Sequence, residues 1–117
     1  MLVKDMTDQQ LNLQLEILLG AKEDRHRKGN VIKGTYSVSP KDHCNDPAAS
    51  LEVQAKALEI DTDTYIRHLG AIICDRAADH YKNNSIAKLL SASPRQRAEA
   101  AYMTLSSQDL HPLREDI

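Results

Sequence analysis

Apolar and polar positions divide the chain into stretches of helical and of extended period. Between Asp8 and Leu19, the residues Leu11, Leu13, Leu15 and Ile17 alternate with Asn12, Gln14 and Glu16, which is a strand period. The flanks argue the other way. Thr7 and Gln10 have the spacing of a capping box, Gly20 offers a left-handed stop, and the segment is rich in good helix formers, so a helix is expected over 8–19. Residues 21–30, AKEDRHRKGN, carry too many charges for a core and read as an exposed connection bearing Arg25, Arg27 and Lys28. In NVIKGTYSVSP, Val31, Ile32, Thr35, Tyr36 and Val38 favour extended backbone, Gly34 permits a turn or bulge, and Pro40 ends the run. This is the one convincing β segment.

Asp46 as N-cap and Pro47 at the first helical position open a helix from 47 to about 60, with Ala48, Leu51, Ala55 and Leu58 as its stripe. After the turn-like DTDT, the residues Tyr65, Ile66, Leu69, Ile72 and Ile73 recur at helical spacing; 63–75 reads as helix, with a strand as the alternative. DRAADHYKNNS is polar and expected to be irregular, and Ser85 can cap a short turn carrying Ile86, Leu89 and Leu90. The last helix starts at Ser93 and Pro94 and buries Ala98, Ala101, Tyr102 and Leu105, leaving 106–117 as a loosely ordered tail. The expected fold is α+β: a single helix-dominated domain over 1–117, with four to five helices and a small β element.

Composition adds three constraints. With no Phe, no Trp and four Tyr in 117 residues, the core must be filled by Leu, Ile, Val and Ala, and covering the remaining apolar stripes points to a homo-oligomer. The 15 Lys and Arg against 17 Asp and Glu give a formal charge of −2, so the chain as a whole has no field that draws in nucleic acid, which is not expected as a partner on that ground. No stretch approaches the roughly 18 apolar residues of a membrane span, and the N-terminus lacks a leader-like apolar region, so a cytosolic protein off the membrane is expected. Cys44 and Cys74 then read as reduced thiols not bonded to each other.

The most informative local feature for chemistry is SASPRQR, where Ser91, Ser93, the free N–H groups of a helix start, Arg95 and Arg97 suit an anion. The alternative is a pair of exposed arginines held by Glu99 or by an acid of a neighbouring chain; on either reading their replacement is expected to leave folding intact. HYKNN offers Tyr81 for stacking on a base and Asn84 for its edge, against a plain solvated loop. In DHCND, Asp42, His43, Cys44 and Asp46 are better explained by caps and turns than by a metal, and no metal or cofactor is expected. A Cys–His nucleophile, from Cys44 or Cys74 with His68 or His80, would need a spatial convergence that spacing does not supply.

Two stretches, CNDPAASLEVQAKALEI and ASPRQRAEAAYMTL, together with the opening MTDQQLN, resemble small phage and prophage proteins of the α/β/α-sandwich type, including phage anti-Thoeris sponges. The resemblance implies a counter-defence protein in the host cytoplasm. Such a protein is an oligomer that sequesters a cyclic nucleotide signal, a cyclic ADP-ribose isomer, without cleaving it and so is not an enzyme. On that view Arg95, Arg97 and Ser93 hold the pyrophosphate, and Tyr81 and Asn84 the adenine. The competing functional reading is a phage accessory protein that binds a host protein or DNA as a regulator.

Overall fold

The computed structural model describes residues 2–74 and 83–109. After a single 3-10 turn at Val3–Asp5 come helix α1 (Asp8–Leu18), strands β1 (Lys22–Glu23), β2 (Val31–Lys33) and β3 (Tyr36–Val38), and helices α2 (Pro47–Cys74), α3 (Asn83–Leu90) and α4 (Pro94–Asp109). The architecture is α+β: among the described residues, four helices with a three-stranded antiparallel sheet in the order β1-β2-β3. Among the described residues no helix is long and apolar enough to cross a membrane.

The alternating pattern in α1 folds as a helix because the local signals act together. The Thr7 hydroxyl accepts from the Gln10 N–H at 3.1 Å, the Gln10 amide oxygen accepts from the Thr7 N–H at 2.9 Å, and Gly20 takes the left-handed φ of +111°. Helical geometry turns Leu11, Asn12, Leu15 and Glu16 to one buried face. The 21–30 connection is more structured than its charge suggests. It contributes β1, whose Lys22 and Glu23 pair with Ile32 and Val31, and it buries Asp24. The expected β segment divides at Gly34, where a φ of +63° lets β2 turn into β3 with Lys33 opposite Tyr36.

Asp46 and Pro47 start α2 as their types require, the Asp46 carboxylate accepting from the Ala48 N–H at 3.0 Å. The stripe is a correction: Ala48, Leu51 and Ala55 are exposed, and α2 buries Ala49, Ser50, Val53 and Ala57 instead. Both stripes have helical spacing. The smaller one wins because α2 packs against the alanine face of α4, formed by Ala98 and Ala101, where large side chains would hold the helices apart. The DTDT segment is a kink rather than a loop. Asp61 leaves helical angles, and its carboxylate accepts from the Thr64 N–H at 3.1 Å and hydroxyl at 2.7 Å, capping the second half of the run. That half is helical, with Tyr65 and Leu69 in the core and the Tyr65 hydroxyl donating to Gln54 at 2.8 Å.

The C-terminal part departs from expectation in extent. Helix α3 begins at Asn83, inside the stretch expected to be irregular, and α4 continues to Asp109, so 106–109 are helical and not tail; 75–82 and 110–117 lie outside the described residues. Arg97 is buried, against the expectation of a surface position. Its Nε donates to the Ser50 hydroxyl at 2.9 Å, and Nη1 donates to the Ala92 carbonyl just beyond the C-terminal end of α3. One guanidinium thus ties α2, the turn after α3, and α4, with the negative end of the α3 dipole offsetting its charge.

Arg97→Ala leaves the Ser50 hydroxyl and the Ala92 carbonyl buried without their donor, and is expected to lower the unfolding free energy by about 2–4 kcal/mol. Exposed Arg67→Ala should stay within about 0.5 kcal/mol of wild type. Urea unfolding of the two variants separates a structural lock from a surface charge, and equal stabilities would refute the lock.

Candidate functional site

At the start of α4, the Ser93 hydroxyl accepts from the Gln96 N–H at 3.1 Å while the Gln96 side chain accepts from the Ser93 N–H at 2.9 Å. Ser93 therefore caps the helix with the group that was expected to meet an anion. Arg95 is more fully engaged. Its Nε donates to Glu99 at 2.7 Å, Nη1 to Asp8 at 2.8 Å and towards Cys44 Sγ at 3.8 Å, and Nη2 to the carbonyls of Val3 at 3.1 Å and Met6 at 2.8 Å. A guanidinium has five N–H groups, and here five acceptors meet them. Arg95 fastens the N-terminal segment to α4 and has no donor left for a ligand. Arg97, two residues on and so about 200° round the helix, faces the interior. Tyr81 lies outside the described residues, as does the side chain of Asn84, whose backbone is in the first turn of α3. The structure does not gather Ser93, Arg95 and Arg97 around a shared opening.

DHCND sends its side chains to separate partners. Asp42 accepts from Asn12 and Asn45, each at 3.1 Å, Asp46 caps α2, and Cys44 is a buried free thiol. Burial, with the neighbouring Asp8 charge, pushes that thiol up to about 11, so it is no nucleophile near neutral pH. His43 is buried, with Nδ1 3.3 Å from the Ala49 carbonyl and Nε2 3.3 Å from Glu16 Oε1. Both ring nitrogens face acceptors, which leaves neither for a substrate. Among the described residues, no group of three or more His, Cys, Asp or Glu is placed to hold a metal ion.

Glu16 is the centre of this network. Its carboxylate is 2% exposed, yet it accepts from the Lys41 N–H at 2.9 Å and His43 on one oxygen and from Lys33 Nζ at 2.9 Å on the other. Burial pushes the carboxyl up, but the Lys33 and Lys41 hydrogen bonds and the charges of Lys33 and His43 outweigh it and hold Glu16 below the ordinary carboxylate range. Above the network opens a cleft of about 540 Å³ between the end of α1, the β2–β3 turn and the first part of α2. Lys33, Lys41 and Lys56 line it over an apolar wall that includes Leu19 and Ile32. Each lysine is met by one carboxylate: Lys33 by Glu16, Lys41 by Glu52 at 2.9 Å, and Lys56 by Glu59 at 3.9 Å. The last two pairs are exposed and therefore weak.

Sequence spacing gives Glu16 no role and assigns His43 to the caps and turns of DHCND, whereas the fold buries the two together. A usable signal was present, since Asn12 and Glu16 share the helical face of Leu11 and Leu15 and so mark a polar group that the fold must satisfy inside. Compared with protein-family models, curated proteins and solved structures, the chain matches none of them.

Because the folded value of Glu16 is depressed below its ordinary 4.5, the carboxylate stabilises the fold above that pH. That contribution disappears as the pH falls through the lowered folded value. The stability difference between wild type and Glu16→Gln should be greatest above pH 4.5 and shrink on acidification. Urea unfolding at pH 7, 4.5 and 3 checks this, and a pH-independent difference would show that charge on Glu16 does not matter.

Proposed function

We propose that the protein is a non-catalytic capture protein that sequesters a phosphate-bearing small ligand of the cyclic-nucleotide class in the lysine-lined cleft. The observation that carries the reading is the convergence of Lys33, Lys41 and Lys56 on one cleft of about 540 Å³, within the 300–1,000 Å³ usual for small-ligand sites. The ammonium groups of Lys41 and Lys56 can exchange weak, exposed carboxylate partners for phosphate oxygens, and the apolar wall can take a sugar or base face. Arg95 and Arg97 have given their donors to the protein, so the phosphate contacts of this proposal fall on the lysines. Sequestration without cleavage is favoured because the acid–base groups lining the cleft are engaged: His43 has both nitrogens facing acceptors, Glu16 accepts from Lys33, Lys41 and His43, and Glu52 pairs with Lys41.

The resemblance to phage anti-Thoeris sponges supports a cyclic ADP-ribose isomer as the ligand and a counter-defence role in the host cytoplasm. We assign a homo-oligomer on the same basis. It is supported by Ile86 and Leu90, one helical turn apart on α3 and 43% and 81% exposed, an apolar pair that a second copy can cover.

Calorimetry with cyclic ADP-ribose isomers should detect binding to the wild type, with the ligand recovered intact by mass spectrometry. Lys41→Ala and Lys56→Ala should each weaken it about tenfold, the equivalent of roughly 1.4 kcal/mol. Sedimentation should show a dimer or larger. A wild type that binds none of these nucleotides, or an unchanged dissociation constant in both variants, would overturn the reading.

A further inference from the structure

The loop between β1 and β2 carries Arg25, His26, Arg27 and Lys28 in succession, all exposed. Its backbone is fixed from beneath. The buried Asp24 carboxylate accepts from the His26 N–H at 2.9 Å, the Arg27 N–H at 3.3 Å and the Ser37 hydroxyl. The Asp24 N–H donates to the Asn30 carbonyl and the Asn30 N–H to the Arg27 carbonyl, each at 3.0 Å, while Gly29 takes a φ of +87°. Among the described residues, Arg25, Arg27 and Lys28 take part in no ion pair. Three cations with no ion pair among the described residues therefore sit together on a chain of formal charge −2, and the balanced total conceals a local concentration of positive charge. Beside Lys28 lies a separate cleft of about 360 Å³, whose lining includes Gln9, Asn12, Asn30 and Ser39; Asn12 is committed to Asp42 and Cys44 and the Asn30 amide N–H to Ser37, while the exposed Gln9 amide and Ser39 hydroxyl can meet a base edge.

We propose that this loop and its adjoining cleft form a docking surface for single-stranded nucleic acid, Arg25, Arg27 and Lys28 each neutralising one phosphate. Three cations clustered on one loop fit the repeating charge of a phosphate backbone, and guanidinium forks fit phosphate oxygens. The loop's internal hydrogen bonds mean that little backbone order is lost on docking. A polar cleft beside the cations favours a strand whose bases are free over a duplex, whose base edges are paired, and over an acidic peptide, which has none. This surface is separate from the lysine-lined cleft.

The test is fluorescence anisotropy of the full-length chain with a labelled 20-nucleotide single strand, between 50 and 200 mM salt. Three neutralised phosphates predict an affinity that falls about 20-fold over that range. Arg25→Ala with Arg27→Ala should reduce the fall to about threefold, with thermal melting unchanged because both side chains are exposed. Arg67→Ala with Lys88→Ala, an equal loss of charge elsewhere on the surface, should keep the wild-type salt dependence. A duplex of the same sequence and a poly-glutamate of equal length should bind more weakly. The proposal is overturned by absence of binding, by a loop variant with the wild-type salt dependence, or by equal affinity for the duplex or the poly-glutamate.

Discussion

The constraint on which the structure depends is a core without Phe or Trp, in which Tyr65 is the largest fully buried side chain. Each small residue removes little apolar surface from water, so burial alone gives a thin margin over the entropy of ordering the chain. Close approach of α2 and α4 through Ala57, Ala98 and Ala101 is one response. The other is a set of polar ties that bridge distant segments: Arg97 between α2, α4 and the turn after α3, Arg95 between α4 and the N-terminal segment, and Glu16 between α1, Lys33 and the segment before α2. Such ties are costly to break, because the partner that remains is buried without a bond.

That use of charge determines which cations are available to anything outside the molecule. The two arginines at the start of α4 oppose the helix dipole, and the fold resolves the conflict internally, with Glu99 and Asp8 around Arg95 and the end of α3 beside Arg97. The lysines over the Glu16 network and the cations of the β1–β2 loop differ in kind. Of the former, Lys41 and Lys56 are held by exposed carboxylates that solvent can replace, and the latter project from a loop braced by Asp24. The cations in these two places thus lie away from the start of α4.

Much of the fold was legible in local chemistry. The Thr7–Gln10 box, Gly20, the Asp46–Pro47 start, Gly34 between two extended runs, and the Ser93 start of α4 each act through neighbours a few residues away. Sequence spacing conveys such information directly. The candidate site was not legible in this way, because Glu16 meets His43 across 27 positions and Arg95 meets Asp8 across 87. No periodicity reports which of several polar residues will be brought together over those separations.

The sequence by itself determined the α+β composition, the placing of most helix starts, and the need for a core of small residues, since these follow from backbone propensity, capping and side-chain volume. Tertiary structure alone decided which of two equally spaced stripes α2 buries, that Asp24 and Arg97 turn inward, and that the lysines rather than the arginines border an open cleft. The reason is physical. A charged side chain's role depends on which acceptors the rest of the fold places around it, and desolvation makes that choice all or none.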